Sequence, residues 1–80
     1  MPKALTHGPY RFFFWSREAN EPPHVHVKRK KMEVKFWIDP VVELADNSGF
    51  ARHEVNEIYQ LTVTYRERLL EKWHEHFDQS

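Results

Sequence analysis

The clearest secondary-structure pattern in this chain lies in P-P-H-V-H-V-K-R-K-K-M-E-V-K-F-W-I, residues 22–38. Histidine alternates with valine over residues 24–27, and a second alternation of apolar side chains runs over residues 32–38. This two-residue period is typical of β-strands, which turn successive side chains to opposite faces. The basic run between them, residues 28–31, predicts a hairpin turn that lacks glycine. One face of the predicted hairpin therefore carries Val25, Val27, Met32, Val34, Phe36 and Ile38.

Further strands and a helical segment flank this hairpin. Residues 10–15 (Y-R-F-F-F-W) are almost all aromatic, which favours a first strand, and residues 41–45 (V-V-E-L-A) predict a short last strand. From residue 51 to residue 77 there is no glycine or proline, and apolar side chains recur every three or four positions. That period predicts one long helix, or two helices that meet near Thr62–Thr64, where β-branched residues lower helix propensity.

The length of 80 residues fits a single domain over residues 1–80, with strands over about 10–45 and the helix over about 51–78. We therefore expect an α+β fold, in which three or four antiparallel strands are followed by one long or bent C-terminal helix packed on one face. The chain has no cysteine, which excludes disulfides and thiolate zinc sites. No segment resembles a secretory signal or a membrane span, so we expect a cytoplasmic protein.

One helical layer covers only one face of a sheet, yet the first strand is apolar on both faces. Phe12 and Phe14 point one way, while Phe13 and Trp15 point the other. A partner protein, a second copy of the chain or a flat apolar ligand would cover the second face. The predicted partner-binding residues on it are Phe13, Trp15, His24, His26 and Trp37.

His24 and His26 lie two residues apart on one strand face, about 6–7 Å between Cα atoms, and three interpretations remain open. Both could bind one divalent metal with Glu21, or alternatively Glu33, as the third ligand. Both could serve as acid and base in metal-independent RNA cleavage, with a cation stabilising the charged transition state. Both could also be structural or interface residues. The predicted catalytic set is His24, His26, Arg11 and Lys35, with Lys28 as an alternative cation.

Charge patterning limits a role in nucleic-acid binding. Lys plus Arg and Asp plus Glu both number 12, and a net charge of zero argues against a general nucleic-acid coat. The basic run beside Phe13, Trp15 and Trp37 nevertheless combines phosphate binding with base stacking, as single-stranded RNA requires. The candidate RNA-binding residues are Lys28, Arg29, Lys30 and Lys31, and the alternative is a solvated hairpin tip.

Four blocks of sequence carry a resemblance to a known family. They are Y-R-F-F-F-W-S-R-E-A-N-E-P-P-H-V-H-V (10–27), E-V-K-F-W-I-D-P-V (33–41), G-F-A-R-H-E-V-N-E-I (49–58) and L-L-E-K-W-H-E-H-F (69–77). Over these blocks the chain resembles a family of small bacterial proteins, domain-of-unknown-function family 4160. The family block corresponds to Arg11, Glu21, Pro22, Pro23, His24, His26, Lys35 and Trp37.

The resemblance implies a dedicated protein partner, because members are often encoded beside a second small protein, as in a toxin–antitoxin pair. It supplies no catalytic residue. In the family, the residue after Phe50 often resembles a serine helix cap. This chain has Ala51 at that position, so we expect the cap at Asn47 or Ser48 instead.

We therefore predict a protein-binding component of a bacterial toxin–antitoxin-like two-gene module, which contacts its partner through the uncovered sheet face. The partner would be the neighbouring gene's product, a second copy of the chain, or both. The alternatives are a ribonuclease-like toxin and a metal-binding domain, and the leading prediction requires no cofactor.

Overall fold

The computed structural model describes residues 3–15 and 20–77, and it has an α+β fold as predicted. Five antiparallel strands form one sheet in the order β1-β2-β3-β4-β5, and two helices follow. The elements are β1 (Lys3–His7), β2 (Tyr10–Phe13), β3 (His24–Arg29), β4 (Met32–Trp37), β5 (Glu43–Ser48), α1 (Arg52–Thr64) and α2 (Arg66–Phe77). The predicted count of three or four strands and the single long helix were therefore wrong, and residue 78, the predicted helix end, lies outside the described residues.

The strand that the sequence did not reveal is β1. Its register against β2 shifts between Lys3 and Leu5, so that Ala4 and Leu5 are both buried although they are neighbours in the chain. This irregularity removes the alternation by which a strand is recognised. A similar shift of β5 occurs where Lys35 pairs with Asp46 and Phe36 with Leu44. The strand β5 begins and ends later than the predicted residues 41–45.

The hairpin β3–β4 agrees with the predicted alternation. Its register pairs Val25 with Phe36, Val27 with Val34 and Arg29 with Met32. The turn is shorter than predicted, because only Lys30 and Lys31 lie between the strands. Lys30 has a φ of 57°, the left-handed region that glycine adopts readily and other residues adopt at a cost.

Replacing Lys30 with glycine should raise the free energy of unfolding by about 1 kcal/mol, because glycine removes the steric cost of this φ. Urea denaturation measures the change. Lys31→Gly is the matched control, since no positive φ is recorded there, and it should leave stability unchanged or lower it. Equal destabilisation by both variants would contradict the assigned turn conformation.

The core lies between the helices and the predicted apolar face of the hairpin. Phe12, Val25, Val27, Val34, Phe36 and Ile38 have no more than 1% of their surface exposed, as do Ile58 and Leu69 of the helices. Burial of this size supplies most of the favourable free energy of a small domain. At one end of the sheet, Phe14 packs edge-on against Trp73 of α2, with 5.4 Å between ring centres.

Polar contacts fix α1 over the sheet. Arg29, on the helix side of β3, forms an ion pair with Glu54 in the first turn of α1. Tyr10 donates a hydrogen bond of 2.8 Å to Glu57. Burial and this carboxylate raise the pKa of Tyr10 to about 12, so the phenol keeps its proton even in moderately alkaline solution.

The helical segment divides at Tyr65, beside the predicted β-branched segment. Thr62 and Thr64 donate hydrogen bonds to the carbonyl oxygens of Ile58 and Gln60, 2.7 and 2.9 Å away. Such bonds from threonine to the preceding turn bend helices, so the prediction of two helices meeting here describes the structure better than that of one. Arg66 then starts α2 and donates to the carbonyl oxygen of Ile38 at 2.7 Å.

The predicted helix cap at Asn47 or Ser48 is wrong. Both residues belong to β5, and the N-cap is Ala51, with extended φ and ψ of −70° and 157° and no side-chain cap bond. Asn47 instead accepts a hydrogen bond of 3.2 Å from the Phe50 backbone N–H and donates one of 3.0 Å to the Phe50 carbonyl oxygen. It thereby shapes the loop before the helix without capping it.

Ala51→Ser should raise the free energy of unfolding by about 1 kcal/mol, because the hydroxyl can accept from a backbone N–H in the first turn of α1. Thermal and urea denaturation measure the gain. Ala51→Val places a side chain without an acceptor at the same exposed position and should give no gain. A serine variant no more stable than the valine variant would show that the helix does not begin here.

Candidate functional site

The face of the sheet opposite the core, here called the open face, brings the predicted site residues together. Cross-strand pairs put Phe13, His26, Lys35 and Asp46 in one row and Arg11, Lys28, Glu33 and Ser48 in the next. His24 and Trp37 form the row beyond. The register places these side chains on the face that the alternation of β2, β3 and β4 predicts, although Trp73 of α2 reaches the ring of His24 at one end of it.

An aromatic cluster, formed by Phe13, Trp15, His24, His26 and Trp37, occupies one end of the open face. The rings of Phe13 and His26 stack with 5.6 Å between centres and an angle of 21°. Trp15, which follows β2, packs edge-on against both, at 5.4 and 5.9 Å. Phe13 and His26 are each only 6% exposed, whereas Trp15 is 39% exposed. The cluster is therefore internally packed and presents Trp15 at its outer surface.

His24 is fully buried and links the open face to the helices. Its ring lies 5.3 Å from that of His26, 5.5 Å from that of Trp37 and 5.0 Å from that of Trp73 on α2. Its Nδ1–H donates a hydrogen bond of 2.9 Å to the carbonyl oxygen of Pro22, which fixes the orientation of the ring. Contact with Trp73 was not predicted, because strand alternation alone places His24 away from the helices.

Carboxylates neighbour two of the other candidate catalytic groups, His26 and Lys35. His26 Nδ1 lies 3.1 Å from Glu33 Oε2, and Lys35 Nζ lies 2.7 Å from Glu21 Oε1. The same ammonium lies 4.5 Å from the ring centre of Trp37. These contacts hold His26 and Lys35 in fixed positions across the centre of the sheet.

The predicted metal ligands His24, His26 and Glu21 lie near one another, with His24 Nδ1 3.9 Å from Glu21 Oε1. Within residues 3–15 and 20–77, no three histidine, aspartate or glutamate side chains are arranged to hold one metal ion. The metal site stays a prediction.

The basic run 28–31 is divided between different surfaces. Arg29 lies on the helix side, paired with Glu54 and 6.0 Å from the ring centre of Phe50. Lys30 is exposed at the turn, and Lys28 and Lys31 line a depression of about 310 Å³ on the open face. The chain thus does not bring the four candidate RNA-binding residues to one surface.

A second group of cations on the open face was not predicted as a unit. Lys3, Arg11 and Lys28, together with Phe13, line a neighbouring depression of about 230 Å³. Arg11 and Lys28 are direct cross-strand partners. Lys3 comes from β1, the strand without an alternating pattern, so only the position of Arg11 opposite Lys28 could have been found from the sequence.

An apolar surface also lies beside α1, away from the open face. Val41, Tyr59 and Val63 are exposed and line a shallow depression of about 320 Å³ with Pro40. The ring of Tyr59 lies 6.0 Å from that of Phe36, which places this surface on the helix side of the sheet. Its exposed apolar residues can be replaced as a control when residues of the open face are tested for binding.

Comparison with known proteins identifies one family. A family model described as a domain of unknown function, DUF4160, matches residues 10–74, which include β2 to β5, α1 and most of α2. No curated protein and no solved structure matches the chain. None of the described helices combines the length and apolar character that crossing a membrane requires.

Proposed function

This chain belongs to the DUF4160 family, and we propose that it is the protein-binding component of a bacterial two-gene module of the toxin–antitoxin type. Its partner, a small protein encoded by the neighbouring gene, contacts the open face. The aromatic cluster is the centre of the contact, with Trp15 as its main anchor. The module's second protein, rather than a cofactor, completes this face.

The Trp15 side chain, which is exposed and yet packed on its neighbours, supports this proposal. The side chain is 39% exposed while Phe13 and His26 hold it edge-on from below. Tryptophan is enriched among residues that dominate binding energies at protein interfaces. A ring already fixed by its neighbours loses little conformational entropy when a partner covers it. The central position of β2, β3 and β4 in the sheet makes the surface beneath it rigid.

The ribonuclease-like alternative and the metal-binding alternative stay predictions, and the geometry does not favour either. An acid–base pair must reach the substrate, and His24 has no exposed surface. Lys35, which was predicted with Arg11 and Lys28 as a candidate charge-stabilising cation, is engaged by Glu21. The buried ring of His24 instead supports, from within, the face that the partner covers.

Trp15→Ala should weaken binding of the neighbouring gene's product by about 30-fold, because truncating an interface tryptophan commonly costs about 2 kcal/mol. Isothermal titration calorimetry of the two purified proteins measures the affinity. Thermal denaturation of the free variant checks that it remains folded.

The matched control is the double variant Val41→Ala/Val63→Ala, which removes exposed apolar side chains from the surface beside α1. It should bind like the unaltered chain. If the double variant loses affinity while Trp15→Ala does not, the partner contacts the helix side and the proposal is wrong. If the two unaltered proteins do not associate at all, the two-gene proposal fails.

A further inference from the structure

The cations at the Arg11 end of the open face lie close together. Within the described ranges 3–15 and 20–77, no carboxylate lies within ion-pair distance of Lys3, Arg11, Lys28 or Lys31. Arg11 and Lys28 occupy directly opposite positions on β2 and β3. Like charges in that arrangement destabilise a sheet, so this pair has a cost in the free protein.

The carboxylate best placed to offset that cost is directed elsewhere. Glu33 is the cross-strand partner of Lys28 on β4, but its Oε2 lies 3.1 Å from Nδ1 of His26. Glu21 likewise engages Lys35. Glu33 and Glu21 are therefore directed to the centre of the described open face, and Lys3, Arg11 and Lys28 keep an excess of positive charge at the Arg11 end.

We propose that the segment of the partner that contacts the open face is acidic, with its carboxylates placed on Lys3, Arg11, Lys28 and Lys31 and an apolar side chain placed against Trp15. This inference rests on the proposed function, and it names the chemistry of the partner. Phe13 connects the two halves, because its ring contacts Trp15 and its side chain also lines the depression formed by the cations. One extended segment can therefore reach both halves.

The mixture of charges on this face favours a protein segment over RNA. Glu33 and Asp46 line the same depression as Lys28 and Lys31. Glu21 lies further along the face, where it contacts Lys35. An RNA backbone carries a negative charge at every nucleotide, so a strand laid across the face would meet these carboxylates. A peptide carries charge only at chosen positions and can avoid them. The formal net charge of zero also gives a polyanion no long-range attraction.

Selection of short random peptides displayed on phage, with the full-length chain as target, tests the inference. We expect the selected peptides to be enriched in aspartate and glutamate relative to the starting library and to contain an apolar or aromatic residue. Their affinity, measured by fluorescence anisotropy of labelled synthetic copies, should fall by about tenfold or more in Arg11→Glu/Lys28→Glu, because rim charges of opposite sign become repulsive. It should also fall as salt is added.

Arg52→Glu/Arg68→Glu is the matched control. It changes the net charge equally, at exposed positions of the two helices, and should bind the selected peptides like the unaltered chain. In the reverse experiment, peptides with lysine in place of their acidic residues should bind Arg11→Glu/Lys28→Glu better than they bind the unaltered chain. Equal losses in the two double variants would show a nonspecific charge effect and overturn the inference.

Two further outcomes separate this inference from the proposed function. Peptides that lose affinity in Trp15→Ala but not in Arg11→Glu/Lys28→Glu would leave the open face as a protein-binding surface and refute the acidic segment. Peptides indifferent to both variants would refute both proposals. Tighter binding of a single-stranded RNA than of any selected peptide, lost in Arg11→Glu/Lys28→Glu, would assign the cations to nucleic acid instead.

Discussion

The rest of the structure depends on the two-residue period of the hairpin β3–β4. Val25 and Val27 must face the helices, because they supply the centre of a small core whose apolar residues are almost completely buried. The same backbone then turns His24, His26, Lys35 and Trp37 to the opposite face. A shift of one residue in register would bury the histidines and lysine in the core and expose the valines. The composition of the open face is therefore a consequence of the core.

The open face poses two energetic problems, the exposure of large aromatic rings and the proximity of like charges, and the protein solves them to different extents. Its large rings are partly removed from water by packing on one another, as in the stack of Phe13 on His26 beneath Trp15. Its charges are only partly neutralised, since Glu33 and Glu21 engage His26 and Lys35 but leave Arg11 opposite Lys28. A partner that covers Trp15 and supplies carboxylates near Arg11 would address both problems at once. For this reason we propose an interface on this face instead of a catalytic site that would include the buried His24.

Sequence patterns could predict the features that follow from simple periods. The alternation over residues 24–38 placed each side chain of β3 and β4 on its observed face, and the three-to-four period located the helical segment. The strand β1 could not be predicted, because its register shift puts Ala4 and Leu5 in the core together. The helix cap was predicted at Asn47 or Ser48 instead of Ala51, because no side chain caps the helix at Ala51. The grouping of Lys3 with Arg11 and the contact of Trp73 with His24 depend on packing between distant segments, which no local pattern encodes.

We propose that a protein partner covers the open face at Trp15. The chain has three tryptophans, and two of them, Trp15 and Trp37, lie on that face, whereas Trp73 of α2 is buried against the core. Fluorine NMR of the chain labelled with fluorotryptophan reports all three separately, with assignment by single replacement of each. On addition of the neighbouring gene's product, we expect the largest change in the Trp15 resonance, a smaller one for Trp37 and little change for Trp73. A saturating complex in which the Trp15 resonance does not move would contradict the proposal.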